Sequence, residues 1–546
     1  MHVLRLLVPA AIVASIVFGG SAGHPLQAQV RATKVAATTF AELRAWDSTV
    51  DRMKRDDVLR LRRTIDDAML PGRLHERFEQ FHQGVRVFGG DVVRQSDRGL
   101  TVSIFGTIYE GIDLDAQPRL SLDDVKAVIE RRSGVALGPG RVPELVILPD
   151  ETGYRLTYRI KAFTILEGYE YFVDAKSGAI VLELIGAERQ AATSTLGRGQ
   201  GVLGDDKKVS ISSQSGTFVA SDMLRPPSLR TYDARGDVNK VLSFLNGRTV
   251  LVTSDLASST STTWSDPVAV DAHAQVGWVY DYYFKRHARR GLDNNNISIV
   301  SVVHPVRRND VFTSSNEVIG LFYVNAFYCC EGVMVFGEGL PPGIVTLPGR
   351  QSWNFLAGAL DVIAHELTHG VTEFSSRLIG RNEPGALNEA FSDIMGTAVE
   401  FFYQPAGTNV LQADYAIGED VVTPGGIRNM ANPGAFGDPD HYSRRFTGTA
   451  DNGGVHTNST IASHAYYLAI EGGTNRTSGL SVQGIGTANR EQMEKVFYRG
   501  FTQLMPANAT FAVARTVTIQ AARDLYGAGS APERAVTQAW TAVGVN

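Results

Sequence analysis

The chain has 546 residues, 43% of them hydrophobic and 20% charged, with a formal net charge of −5. That length calls for several domains, and a globular composition without basic excess argues against a disordered chain or a nucleic-acid partner. Its two cysteines are neighbours, Cys329 and Cys330, so no disulfide framework holds it together, and a strained ring between them and a pair of thiols are both open.

In the first residues Arg5 precedes an apolar run over 6–20, and Ser21, Ala22, Gly23 and Ala28 follow. A basic start, a short apolar run and small residues at its end make 1–28 a secretory signal peptide, cut after Gly23 or Ala28. Pro9 interrupts the run, which falls short of the roughly 20 residues of a membrane span. A secreted protein, free of the membrane after cleavage, is therefore expected. An exported chain without long-range disulfides needs another staple, and calcium is the obvious one.

Residues 40–70 are charged and helical in pattern. The stretches 75–91 and 92–108 alternate and predict strands around Gly84 and Gly89-Gly90. Ser121 caps a predicted helix over 121–132, with Asp124 three residues on. Strands follow at 154–160 and 169–182, the latter turning at 174–178. Residues 190–200 are small and polar, a fitting linker for processing. From 200 to 345 short strands alternate with turns around one helix near 269–289. Helical periodicity then dominates, over 353–374, 386–403, 457–472, 488–504 and 509–526. The domains expected are 1–28, 29–112, 113–189, 190–352 and 353–546, in an α+β fold with a β-rich lobe followed by a mainly helical one. Two short motifs mislead. Gly19-Gly20-Ser21-Ala22-Gly23 has the serine-hydrolase elbow pattern but lies in the signal peptide. Gly199-Gln200-Gly201-Val202-Leu203-Gly204 matches a dinucleotide fingerprint without the strand–helix frame it needs.

Residues 365–369 read His-Glu-Leu-Thr-His, with Glu389 twenty positions past His369. Four residues turn a helix through roughly 400°, so His365 and His369 share a face and can grip one zinc ion. Glu366 reaches a water there without being a ligand, and Glu389 from a second helix completes three ligands, leaving a position open as in a catalytic site. The apolar flanks Leu356, Leu360, Val362, Ile363, Ala364, Leu367 and Val371 predict a buried helix, where histidines and acids need partners. Asp393, four residues after Glu389, is placed to accept the second ring N–H of a zinc-bound histidine.

These segments, with Gly437-Asp438-Pro439-Asp440-His441-Tyr442-Ser443 and Asp451-Asn452-Gly453-Gly454-Val455-His456, resemble the thermolysin-type neutral metalloproteinases. The resemblance covers about 193–546, and a weaker one makes 29–112 and 113–189 a two-part propeptide, the second part PepSY-like, serving as inhibitor and folding aid. It implies a two-lobed secreted zinc endopeptidase made as a zymogen, acting on protein and peptide substrates as a monomer. Glu366 would be the general base, His456 the oxyanion donor, Asp451 its orienting partner, and Asn388 and Asp393 would steady the ligands. Asn325 and Ala326 would hold the substrate backbone and Arg428 a peptide carbonyl. Leu356, Val362, Ile417, Val421 and Ile427 would form an apolar pocket, implying cleavage before large apolar residues. Asp361, Glu400, Asp414 and Glu419 would bind calcium, and since Ala416 replaces another acid, at least one ion is implied.

Two departures stand out. Gly380 holds the position of a tyrosine that helps bind the oxyanion, and a nearby tyrosine, Arg307 or Arg308 is a candidate to replace it. Tyr328-Cys329-Cys330 differs from the usual tryptophan followed by Asn or Asp. Two other readings stay open: a catalytically weakened relative acting as a binding or inhibitory module, and a zinc aminopeptidase.

Overall fold

The computed structural model describes residues 30–546 except 68–69, 151–152, 164–167, 186–194, 215–216, 223 and 348. The signal peptide over 1–28 and the first half of the processing linker thus lie outside the described residues. No described helix is long and apolar enough to cross a membrane.

The N-terminal body is one nine-stranded sheet, made of β1 (Arg31–Ala37), β2 (Leu59–Asp66), β3 (Arg73–His82), β4 (Val85–Asp97), β5 (Leu100–Glu110), β6 (Glu144–Asp150), β7 (Gly153–Phe163), β8 (Gly168–Asp174) and β9 (Ile180–Ile185). Its order is β1-β5-β4-β6-β7-β8-β9, with β3 pairing β4 and β2 pairing β3. The predicted helix over 40–70 is correct only for α1 (Phe40–Arg55). Asp57 takes a left-handed φ of 57°, and Leu59, Leu61, Thr64 and Ile65 then pair along β3. Tertiary pairing outweighs local helix preference there. Ser121 caps α2 (Leu122–Ser133) as expected: Asp124 N donates to its Oγ at 3.2 Å, and Ser121 N donates to Asp124 Oδ2 at 2.9 Å. The two expected parts are joined, because β4 runs parallel to β6 with Arg86 opposite Val146.

The second body opens with β10 (Thr195–Gln200), so the end of the expected linker is a strand, and β11 (Asp206–Gln214) returns beside it. The dinucleotide-like motif is the turn between them, closed by Gly201 N donating to Asp205 O at 2.9 Å. These strands join β12 (Thr217–Val219), β15 (Ser258–Ser259) and β16 (Thr263–Trp264) in one sheet. A second sheet has the order β13 (Ser221–Asp222), β14 (Leu229–Asp233), β17 (Ile299–Val303), β19 (Val333–Phe336), β18 (Ala326–Cys330). Two helices here escaped the periodicity reading, α3 (Val238–Leu245) and α5 (Asn316–Phe322), each eight residues or fewer. The expected helix is α4 (Pro267–His287), buried along most of its length between both sheets and the helical lobe.

The helical lobe comprises α6 (Leu360–Glu373), α7 (Asn382–Tyr403), α8 (Asp451–Glu471), α9 (Arg490–Arg499), α10 (Phe511–Tyr526) and α11 (Ala531–Ala542), the last unforeseen. Its apolar core is continuous with that of the β-rich lobe, and α6 sits at the junction against α4, α7 and β18.

Candidate active site

Along α6 the residues Asp361, His365 and His369 recur every four and form one face; along α7 Glu389, Asp393, Gly396 and Glu400 recur at three or four and do likewise. The two faces meet. A Cβ on Gly396 would lie 2.8 Å from Asp361 O, so only glycine lets the helices come this close.

His365 Nδ1 lies 2.9 Å from Asp393 Oδ1, and His369 Nδ1 lies 3.2 Å from both Asn388 Oδ1 and Ser392 Oγ. Bonds to carboxylate and carbonyl oxygens put a proton on each Nδ1 and turn each Nε2 to the space between the helices, where its lone pair would serve a bound cation. The two Nε2 atoms nevertheless face each other at 3.1 Å. Glu389 adds Oε2 at 3.4 Å from His365 Nε2 and Oε1 at 3.6 Å from His369 Nε2, and that Oε2 is buried without a hydrogen bond. Three acceptors aimed at one point fit a cation, and the two-histidine, one-carboxylate set suits zinc. Among the described residues the ligand atoms of His365, Glu366 and His369 also lie within 4.8 Å of one another.

The acids around this point favour positive charge there. Burial opposes charge on His365, yet its hydrogen bond to Asp393 and the nearby Glu389 carboxylate raise it to about 10, while burial lowers His369 to about 4. Burial likewise opposes a charged Glu389, but His456, His369 and His365 together hold it well below the usual carboxylate range. Burial raises Glu366 to about 7, with Glu389 adding to the rise and His365 opposing it. Asp393 also pairs with Arg428, at 2.7 and 2.8 Å.

His456 comes from the start of α8. Asp451, Asn452, Gly453 and Gly454 all take left-handed φ values, from 48° to 92°. Asp, Asn and Gly are the residues that tolerate this. The turn folds Asp451 back so that Oδ1 lies 2.6 Å from His456 Nδ1 and Oδ2 accepts His456 N at 2.9 Å. His456 Nε2 then stands 3.5 Å from Glu389 Oε2.

A cavity of about 460 Å³ lies over this site. Asn325, Ala326, Leu356, Val362, Ile417, Ile427 and Arg428 line it, as expected. Val421 does not; its methyl packs towards Gly358, and the neighbouring Val422 lines the wall with Gly418 and Trp353. Val421 lies in the turn ahead of the short strand Val422–Thr423, a turn the sequence reading did not predict. Gly380 also lines the cavity, and a Cβ there would meet nothing within 4 Å. The two arginines expected as substitutes for its tyrosine are elsewhere. Arg308 stacks on Phe355 and donates to Trp353 O at 3.2 Å, Arg307 packs on Gly236, and neither lines the cavity.

The roof of the cavity is the N-terminal body, through Arg62, Arg86, Phe88, Arg159, Lys161 and Leu184 among others. Arg377 pairs with Glu79 at 2.6 Å, Lys161 with Glu373 at 3.6 Å, and Ile379 inserts among Phe88, Phe172 and Leu184. Farther along, Asp91 accepts Ala507 N at 3.1 Å, and Arg499, fully buried, lies between Asp67 and Asp524.

At the N-terminal end of α6 a second cluster gathers Asp361 and Glu400 with Asp414, Glu419 and Asp420, the last not foreseen. Asp361 accepts Val362 N at 2.8 Å and Gly418 N at 2.6 Å. Both oxygens of Glu400 and of Glu419 are buried without a hydrogen bond. Burial, then the neighbouring acids, raise Glu400 well above its usual range and Glu419 to about 9.

Family models match in the same order as these parts. Residues 196–373 match the thermolysin metallopeptidase catalytic domain, 376–545 its alpha-helical domain, and 57–108 the fungalysin/thermolysin propeptide motif. A thermolysin from Alicyclobacillus acidocaldarius subsp. acidocaldarius is 37% identical over 498 residues, covering 86% of this chain and 83% of that protein. The chain belongs to the thermolysin metallopeptidase family. Neutral protease B of Bacillus subtilis (strain 168) is 35% identical over 487 residues, covering 86% and 81%. The chain is thus a zinc metalloendopeptidase with a propeptide, in the two-lobed α+β fold expected of it.

Proposed function

We propose that this protein is a secreted endopeptidase, made as a zymogen, that cleaves before large apolar residues with Glu366 as general base. The observation that carries it is the convergence of His365, His369 and Glu389 on one point with Glu366 beside them. When bound, zinc supplies a Lewis acid that brings the pKa of a water towards neutrality and polarises the scissile carbonyl. Glu366, near pH 7 in its affinity for a proton, takes one from the attacking water and hands it to the leaving amine. His456, whose charged form Glu389 and Asp451 favour, donates from Nε2 to the developing oxyanion while Asp451 accepts from Nδ1 and holds the ring. Asp393 and Asn388 orient the two zinc histidines. Arg428, braced on Asp393, donates to a substrate carbonyl; Asn325 and Ala326 hold its backbone. Leu356, Val362, Ile417, Val422 and Ile427 receive the side chain after the cleaved bond.

The N-terminal body over 29–189 acts as the propeptide, and its roof over the cavity excludes protein substrates until it is removed. Export is supported by the apolar 6–20 run ahead of it. Calcium is the second cofactor: Asp361, Glu400, Asp414, Glu419 and Asp420 crowd together, and the unpartnered oxygens of Glu400 and Glu419 fit a hard cation.

Casein hydrolysis by the mature enzyme is expected to stop with phenanthroline and in Glu366→Ala, whose zinc content stays at one per chain. Activity surviving in Glu366→Ala would refute the base. A peptide library favouring charged residues after the cleaved bond would refute the pocket, and a need for a free amino terminus would make the enzyme an aminopeptidase.

A further inference from the structure

Tyr328 stands where the family resemblance puts a tryptophan, and its contacts follow α6 through two turns. Its backbone N donates to Glu366 Oε2 at 2.6 Å. Its hydroxyl donates to Glu373 Oε2 at 2.8 Å, and Glu373 is seven residues further along the same face, a rise of about 10 Å. Between these points the ring lies on Gly370, where a Cβ would come within 2.9 Å of Tyr328 Cε2. The hydroxyl also accepts Gly332 N at 2.9 Å, and Glu331 N donates to Glu373 Oε2 at 2.7 Å, so the β18–β19 turn is drawn onto the same carboxylate. The pairing of β18 with β19 slips between Tyr328 and Cys330, a bulge of the kind that re-aims a side chain.

Glu373 is the last residue of α6, where a negative charge opposes the helix dipole. Its place there is explained by its donors. Lys161, at 3.6 Å from Oε1, belongs to the propeptide and leaves with it; Tyr328 and Glu331 stay. We propose that Tyr328 is a positioning residue, anchored by Glu373, that fixes Glu366 against the edge strand on which substrate lies. The inference rests on Glu366 being the general base. The Tyr328 amide occupies one oxygen of Glu366 and turns the other to the site. The hydroxyl at Glu373 stops the strand from sliding along the helix, which would carry that amide away.

The test is Tyr328→Phe in the full chain, which removes only the hydroxyl, with trace wild-type enzyme added to process it. On a blocked peptide kcat is expected to fall about ten-fold while KM stays within about two-fold, because orientation rather than binding is lost. Zinc content and Tm should match wild type. Glu373→Leu, which removes the acceptor, should show the same split, and the double variant should be no worse than the worse single variant, since both cut one link. If Tyr328→Phe does not accumulate, Glu373→Leu alone reads the split. An unchanged kcat, a fall that tracks zinc or Tm, or multiplying effects in the double variant would overturn the proposal. Glu366→Ala separates the two ideas: if it is inactive and Tyr328→Phe is not impaired, only the positioning role fails.

Discussion

The two polar clusters on the α6–α7 seam are built from the same spacing yet behave as opposites. Around His365, His369 and Glu389 the histidine Nδ1 atoms have oxygen partners in Asp393, Asn388 and Ser392, and Arg428 neutralises Asp393. Around Glu400 the neighbours are all acids, and Glu400 and Glu419 keep four buried oxygens without a hydrogen bond. The first cluster is cross-linked by its own side chains and only adjusts to its metal. The second lacks internal counter-charge on those acids, so its carboxyls hold protons or a cation. In the function proposed above, the first cluster does chemistry and the second, with calcium bound, holds the seam together.

The largest expected effect falls on the second cluster. Removing calcium with EGTA should lower Tm by about 10 °C, the loss of roughly 3–4 kcal/mol of ligand-linked stability. Scanning calorimetry checks this, and an unchanged Tm would erase the contrast between the clusters. Next, Asp393→Ala should weaken zinc binding about 10- to 100-fold, measured by competition with a chelator, while leaving the EGTA response intact.

A third expectation uses His304, which lies outside both clusters. Burial opposes its charge, but hydrogen bonds to Asp266 and Glu338 raise it to about 10. A histidine whose folded pKa is raised stabilises fully below its unfolded value near 6.5 and loses that stabilisation as pH rises towards 10. His304→Gln should therefore cost about 2 kcal/mol at pH 6 and progressively less at alkaline pH, in denaturant titrations. A cost independent of pH would show packing against Phe355 to be its main role. The smallest effect is a gain. Gly380→Tyr meets open space, so it should fold normally and raise kcat by up to about ten-fold through a second oxyanion donor. No gain would mean that the site already has a donor in that place.

The zinc site was legible because helix geometry is local: His365 and His369 four apart can only share a face, and Glu389 and Asp393 repeat that spacing. The kink at Asp451-Asn452-Gly453-Gly454 went unread in the sequence, although those residue types tolerate left-handed backbone, and the pairing of Asp451 with His456 came only as what the family resemblance implies. Asp420 joined the acid cluster and Val421 left the pocket for reasons of fold, since both lie in the turn closed by Val421 N and Val422 N donating to Gly418 O. Residues 59–66 form a strand in spite of their helical charge pattern, because β3 supplies the pairing.

By itself, then, the sequence determined which residues can meet within a helix or a turn, and so the candidate metal ligands, the acid beside them and the family. Three other features depended on tertiary structure: the acid cluster, the propeptide roof, and Tyr328 spanning from Glu366 to Glu373. Each joins residues tens or hundreds of positions apart, and such contacts form only when apolar burial has brought whole elements together.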